Sequence, residues 1–545
     1  MSWLGRRDYE NINNHITVDI IVLGCSLSGM VTAHKLKKTF GDTMEIVILD
    51  LANKPKSSIK QDGVDDDDRY NVFNGTAREV ADNLTKYYLT VYANAFQVPI
   101  PKSITAPELF KTNLKKVFEN ENGDIETYDT MLHEFNFLKV FEQFELNQYQ
   151  IALDENMKDL FQVKQMSDAA ERKKLIYFDR TNMEQHICRS LLFPTSRNIM
   201  RNTVRLVCGV SPNEVSVLFF LYQCYRTGSV TNNLDGINTK LREKLLGYFK
   251  KHLSSKLCQS ISNITLPIKP IKEINSCPGE KVILKTLQGD KRYTCNILAM
   301  ALKPDELCDI KFEPALLTEN QKSIFTSMTK GRAKKFWIQY EEKFWQKAGF
   351  SGDIFSLRGP ILWATEQPKL PFTANKDLNP ILVGYLKYNE DNTENSEEAV
   401  KQQLIDLFGD DAARPVRYIE SAIDDVCVPL CGNFLALRRL QHTSHKLEWG
   451  ALDIFAEGDV AAALEAGHNA YMHLVAYLRP QAQTYEDLVE SRWPTFFNDT
   501  DPFRRWFSAV NFASSTRVAL YATAAYIGYR VLRHLNISYA RYLNV

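Results

Sequence analysis

Between Val18 and Asp50 the chain carries a pattern with few folding solutions. Val18-Asp19-Ile20-Ile21-Val22-Leu23 is short, β-branched and almost wholly apolar, the composition of a strand buried on both faces of a parallel sheet. A turn with glycine at each end, Gly24-Cys25-Ser26-Leu27-Ser28-Gly29, follows it. A helix-like stretch then runs to Lys38, and a second apolar run, Glu45 to Leu49, closes on Asp50. Parallel strands need such a crossover, so the pattern predicts a β-α-β unit.

The turn has the spacing of a dinucleotide site. Gly24 would make the tight bend and Gly29 would allow close helix packing. The middle position, where a glycine normally lets the backbone approach a pyrophosphate, is Ser26. The helix start still offers N–H groups to an anion. Asp50 ends the second strand, 21 residues after Gly29, where an acid would bind ribose hydroxyls. The competing reading is an inherited turn with no ligand. A second feature is Ile454-Phe455-Ala456-Glu457-Gly458-Asp459, before a helix-like run from Val460 to Tyr477. There Gly458 and Asp459 would bring a carboxylate and helix N–H groups to hydroxyls and phosphate. The plainer alternative is that Asp459 only caps the helix.

The remaining sequence narrows the function classes. Lysine and arginine balance aspartate and glutamate at 66 each, so no global basic field points to nucleic acid. The ten cysteines form no Cys-x-x-Cys pair and no zinc spacing, which predicts buried thiols in a reducing compartment and no metal site. Met1 to Val18 lacks an apolar run, so no cleaved secretory signal is expected. The four aspartates Asp65 to Asp68 read as a solvated loop.

Leu109 to Ser190 reads mainly as helix. Thr181 to Glu184 and Ser211 to Glu214 read as capping boxes, the second opening an apolar helix from Val215 to Cys224. Val282 to Leu302, Lys335 to Tyr340 and Ile381 to Leu386 read as strands. Trp506 to Tyr529 carries one charge, Arg517, in 24 residues, with Arg504 and Arg505 before it and Arg530, Arg533 and Arg541 after it. A run of that length predicts a membrane helix over about 506–530. An amphipathic helix lying on a membrane or on the protein itself is the alternative.

Several segments together resemble the flavin monoamine oxidase family, the FAD-dependent amine oxidases of the mitochondrial outer membrane. Phe178-Asp179-Arg180-Thr181-Asn182-Met183-Glu184 is similar to the family's Trp-Asp-x-x-Thr/Ser-Met-Lys-Glu helix start. Asn213 to Leu221 is similar to its Glu-Val-Ser-Ala-Leu-Trp-Phe-Leu segment. Glu342 to Gly352 is similar to its Pro-Phe-Trp-Arg and Gly-Phe-Ser-Gly stretch, and Ala463-Leu464-Glu465-Ala466-Gly467 to its Ala-Val-Glu-Ala-Gly helix. A C-terminal helical anchor also belongs to the family.

The resemblance implies a fold that is α/β with α+β. A Rossmann-type FAD-binding domain (17–80, 236–322 and 425–480) would interleave with a mixed sheet-plus-helix substrate domain (81–235 and 323–424). The tail, 481–545, would carry the membrane helix. It implies FAD, cradled by Gly24, Ser26, Gly29, Asp50, Gly458 and Asp459. The FAD would be linked through a thioether at Cys431, bound without that link, or lost. It implies a catalytic lysine, Lys335, holding a water near the flavin. It implies a small amine as substrate, a possible homodimer, and a place on the mitochondrial outer membrane with the bulk facing the cytosol.

The chain departs from the family's pattern where the chemistry lies. Around Cys431 the family's Ser-Gly-Gly-Cys-Tyr is Val428-Pro429-Leu430-Cys431-Gly432, so Gly432 replaces one cage tyrosine. The stretch carrying the second cage tyrosine is deleted between Asp459 and Ala463, Ala422 replaces a family tryptophan, and the phosphate loop after Asp50 has lost its glycines and arginines. The expectation is therefore an amine-oxidase-like flavoprotein with weakened or lost activity. The alternative is an active FAD-dependent oxidase that deaminates an amine in a re-made pocket.

Overall fold

The computed structural model describes residues 15–51, 91–98, 114–129, 137–161, 169–227, 230, 247–276, 280–287, 291–313, 319–330, 333–366, 379–387, 396–423, 427–438, 446–452, 460–484, 487 and 512–542. The chain opens with β1 (His15–Leu23), α1 (Leu27–Phe40) and β2 (Ile46–Leu51). Next come β3 (Lys115–Glu119) and β4 (Ile125–Asp129). Five helices follow: α2 (Val140–Phe161), α3 (Ala169–Arg180), α4 (Met183–Ser190), α5 (Pro194–Cys208) and α6 (Val217–Thr227). Then come α7 (Gly247–Ile261), β5 (Thr265–Ile268), β6 (Ile271–Asn275), β7 (Val282–Thr286), β8 (Arg292–Met300), α8 (Pro304–Cys308), β9 (Lys311–Glu313) and α9 (Glu319–Thr326). A further run holds β10 (Thr329–Lys330), β11 (Ala333–Gln339), α10 (Phe344–Lys347), β12 (Phe350–Ser356), β13 (Ile361–Glu366), β14 (Ile381–Leu386), α11 (Ser396–Phe408), β15 (Arg417–Ile423) and β16 (Cys427–Val428). The described chain closes with α12 (Phe434–Arg438), β17 (Leu447–Glu448), α13 (Val460–Leu478) and α14 (Phe512–Tyr542).

Two sheets carry the molecule. The first has the order β5-β2-β1-β8-β7-β6-β9, with β17 added beside β8. Its centre is parallel, β1 pairing β2 on one side and β8 on the other. Strand alternation sends Ile20 and Val22 to one face, against α1, α7 and α13, and Ile21 and Leu23 to the other. The second sheet has the order β15-β11-β14-β13-β12-β3-β4. One face packs Phe336, Ile338 and Leu382 against α10 and α11. The other carries Phe118, Phe355, Trp363 and Tyr385 under the helix layer α2 to α6.

Several local expectations change. The reading of 109–190 as mainly helix misses the hairpin β3–β4, whose turn is held by the Asn120 side-chain Oδ1 accepting from the Asn122 and Asp124 amides. Gly123 at φ +89° supplies the left-handed residue of that turn. At α4 the cap is Asn182, not Thr181: the Asn182 side chain accepts from the Gln185 amide, and the Thr181 hydroxyl donates to the Tyr177 carbonyl. The Glu184 carboxylate pairs with Arg201 instead of reaching back. Before α6, Glu214 accepts from the Ser211 amide, but the helix begins later, with Ser216 accepting from the Phe219 amide. The delay follows from a tertiary bridge that pairs Ser216 with Asn182, after the turn in which the Glu214 amide donates to the Ser211 carbonyl.

The tail also differs. Helix α14 begins at Phe512 and reaches Tyr542. Among the described residues no helix is long and apolar enough to cross a membrane, which corrects the expectation of a spanning helix at about 506–530. The sequence reason is its content of Ala, Ser, Thr and Tyr around Arg517. Arg517 does not reach for a membrane surface; its guanidinium donates to the Arg189 and Cys188 carbonyls at the end of α4, at 2.9 and 3.2 Å.

Candidate functional site

The glycine turn is built by close packing. Gly24 sits at φ +108°, and a Cβ there would lie 2.3 Å from the Ala301 carbonyl oxygen. A Cβ on Gly29 would lie 2.5 Å from the Gly24 oxygen and 2.7 Å from the Ala301 Cβ. Both are glycine because the end of β8 passes against the turn, the Ala301 amide donating to Leu23 at 2.7 Å. Ser26 is the N-cap of α1, its hydroxyl accepting from the Gly29 amide at 3.3 Å. A ligand approaching the middle of the turn therefore meets a hydroxyl and not bare backbone.

Helix α13 completes this corner. A Cβ on Gly467 would lie 2.6 Å from the Ser28 carbonyl oxygen, so α13 crosses α1 at backbone contact. The Thr32 hydroxyl bonds the Ser28 and Gly467 carbonyls. Further along, Lys35 meets His468 and Thr39 meets Tyr471. The two helices thus run the same way, and their N-terminal dipole ends face the same side, favouring an anion there.

Asp50 is half-buried on β2, one residue past the Leu23–Leu49 pair, and its carboxylate has no hydrogen-bond partner among the described residues. Gly458 and Asp459 lie outside the described residues, as does the segment after Leu51. The described part of the site fits FAD: glycines where a Cβ would collide, a hydroxyl at the turn, parallel helix starts and an open carboxylate.

Cys431 lies elsewhere, against the end of α3. Its thiol donates to the Asp179 carbonyl at 3.3 Å, and the Gly432 amide donates to the same oxygen at 2.6 Å. The Asp179 carboxylate accepts from the Leu435 amide through Oδ2 at 3.4 Å, while Oδ1 is buried with no partner. Burial pushes the Asp179 carboxyl up to about 6. Burial, and then the Asp179 charge, push the Cys431 thiol up as well. Gly432 adopts φ +94°, a conformation that a tyrosine at this place would strain. Phe434 then buries its ring against Phe219 and Tyr222.

Lys335 stands on β11, paired with Tyr385 of β14 and Ser421 of β15. Its side chain is buried, with Nζ 4.3 Å from the Trp337 ring centre. Lys334 points to the opposite face and meets Glu420 at 3.7 Å, so the pleat separates these neighbours. Register places Lys335, Tyr385, Trp363, Phe355 and Phe118 in one row across the sheet, the Trp363 and Tyr385 rings stacking at 6.1 Å. Lys335 and Cys431 leave the β10–β16 ribbon at opposite ends. The structure thus gathers Gly24, Ser26, Gly29 and Asp50 at one corner, and places Lys335 and Cys431 on separate elements. Sequence reasoning did not single out Asp179 as a site residue; its signal was an acid between Phe178 and the end of an apolar-faced helix.

The comparisons agree with this geometry. Residues 268–443 match the family model described as flavin containing amine oxidoreductase. A probable flavin-containing monoamine oxidase A of Dictyostelium discoideum is 21% identical over 415 residues, 74% of this chain and 83% of that relative. Among solved structures, wild-type putrescine oxidase bound to putrescine superposes with a TM-score of 0.62 at 15% identity, covering 85% of this chain and all of that one. Cyclohexylamine oxidase from Brevibacterium oxydans gives 0.60 at 17% identity, covering 84% and 99%. The family-model match, the relatives and the solved structures together fit a divergent member of the flavin-containing amine oxidases.

Proposed function

We propose that this chain is an amine-oxidase-like flavoprotein that holds FAD without a covalent link and has weakened or lost amine oxidase activity. FAD, when bound, supplies the electron acceptor for oxidising an amine. The chain's own part begins with Gly24 and Gly29, which keep the turn tight. Ser26 and the helix starts meet the phosphates, and Asp50 accepts from ribose hydroxyls, with Gly458 and Asp459 as sequence candidates beside them. The observation that carries the reading is the loop Cys431–Phe434. Its thiol is spent on the Asp179 carbonyl, its cage position is a glycine at φ +94°, and Phe434 fills the helix layer. A thioether needs a thiolate, and a half-buried thiol whose pKa is raised beside a carboxyl is the wrong form.

The test is visible absorbance of the purified chain before and after acid precipitation. The expected result is flavin in the supernatant, in equal amount from wild type and Cys431→Ala. Flavin that stays with the precipitate would sink the non-covalent reading. A colourless protein that takes up no added FAD would sink FAD binding itself.

A second reading, an active oxidase with a re-made pocket, is favoured by the aromatic row beside buried Lys335. Peroxide release with a panel of small primary amines separates the two; turnover that Lys335→Met abolishes supports the enzyme. We further propose that the tail helix associates with a membrane, the mitochondrial outer membrane with the bulk of the chain on the cytosolic side. What supports this is the exposed, partly apolar and arginine-flanked α14.

A further inference from the structure

Helix α5 carries Arg197, Arg201 and Arg205 at intervals of four residues, so they stand on one side of the helix. The first two have their acids. Arg197 donates to the Leu191 carbonyl at 2.9 Å, and its charge acts on the Glu145 carboxylate. Arg201 grips both oxygens of Glu184. Arg205 has no such acid. Among the described residues its guanidinium donates to the Asn202 side-chain oxygen of its own helix, at 2.8 Å, and to nothing else.

A second cation meets it at the end of the second sheet. The Asn202 side-chain amide donates to the Ser356 carbonyl at 2.8 Å, so the last turns of α5 rest on the turn between β12 and β13. The Lys387 backbone amide donates to the Pro360 carbonyl of that turn at 2.6 Å. Strand alternation fixes the side on which Lys387 stands. Tyr385 packs under the helix layer and Leu386 in the core of the opposite face. Lys387, just past β14, therefore returns to the face where Arg205 lies. Both side chains are half-buried, and the Lys387 ammonium has no ion pair or hydrogen bond among the described residues.

This placement costs stability twice. Burial first, then the Arg205 charge, pull the Lys387 pKa down, opposed by the exposed Glu121. Burial and Arg201 do the same to Arg205, opposed by Glu184. Neither acid answers the pair: Glu121 is in solvent and Glu184 is held by Arg201. Glu119 of β3 is taken up by Ser356, Gln403 and Arg358. The end of a helix accounts for one cation, at Arg205, but not for a second held near it and half out of water.

We propose that Arg205 and Lys387, over the β12–β13 turn, form a binding site for a phosphate group, free or on a small molecule. The planar guanidinium offers a fork to two oxygens and the ammonium a point charge to a third. A phosphate monoester carries about −1.5 to −2 charges at pH 7 and so answers both cations; a single carboxylate would leave one unanswered. The site belongs to the second sheet, whereas Gly24, Ser26 and Asp50 stand on the first, so it is distinct from the dinucleotide corner.

The experiment is isothermal titration of the full chain with inorganic phosphate, and in parallel with glycerol phosphate, at ionic strength held constant with chloride. Wild type is compared with Lys387→Gln and Arg205→Lys. The expected result is one saturable site in wild type and roughly tenfold weaker binding or worse in Lys387→Gln, the loss of one charge-assisted contact. Arg205→Lys keeps the charge and loses the fork, so it should weaken binding by a smaller factor. Without phosphate, Lys387→Gln should melt at or above the wild-type temperature, because a repulsion is gone. Binding of both ligands would support a site for an ester, and binding of inorganic phosphate alone a site for the free ion. Equal affinity in wild type and Lys387→Gln would overturn the proposal by placing the phosphate elsewhere. Unsaturated heats that sulfate reproduces in all three proteins would overturn it as a general salt effect. A lower melting temperature for Lys387→Gln, with phosphate affinity unchanged in Arg205→Lys, would overturn it in favour of a purely structural lysine.

Discussion

Asp179 bonds its neighbours through backbone and side chain at once. Its carbonyl takes the Cys431 thiol and the Gly432 amide, and its carboxylate faces α12 with one oxygen unmatched. Because burial raises its pKa to about 6, its contribution to stability is present in acid and is lost as the pH rises through that value. Asp179→Asn keeps an acceptor for Leu435 and removes the buried charge. It should raise the melting temperature at pH 7.5, by the equivalent of about 1–2 kcal/mol, and flatten the stability profile between about pH 4 and 6. A profile as steep as that of wild type would refute this. At this scale the sequence was a partial guide. Gly24, Gly29 and Asp50 were legible because strand, turn and strand are contiguous. The pairing of Asp179 with Cys431 spans 252 positions and leaves no local trace. Lys335 and Lys334 looked equivalent until the pleat gave them opposite faces.

Between elements, the contact of α1 with α13 controls the dinucleotide corner. Gly467 has no room for a methyl group, with the Ser28 oxygen at 2.6 Å and the Val31 Cβ at 2.7 Å. Gly467→Ala should force the helices apart, cost about 1–3 kcal/mol in denaturant titration, and weaken FAD uptake measured by flavin fluorescence. Full FAD affinity with unchanged stability would show that the corner tolerates the shift. The strands at 282–302, 335–340 and 381–386 were readable from their patterns, which match β7, β8, β11 and β14. Hairpin β3–β4 was not, because its five-residue strands carry as many charges as a helix would. The start of α6 was misplaced for a different reason: a bridge to Asn182 overrides a good local cap.

On the scale of the whole molecule, the two sheets and their helix layers show the fold of the solved amine oxidases, while Arg517 ties the tail helix to the end of α4. Arg517→Ala should leave the melting of the body nearly unchanged and speed cleavage near residue 512 in limited proteolysis; an unchanged cleavage rate would mean that other contacts hold α14. A related consequence lies in the bond from Thr32 to Gly467, which joins positions 435 apart. A ribosome adding about 5–20 residues per second needs on the order of half a minute to a minute or more between making one partner and the other. During that interval α1 emerges with the face meant for α13 uncovered. The earliest part of the chain is thus among the last to finish folding, and it depends for that time on chaperones or on the ribosome surface to stay out of aggregates.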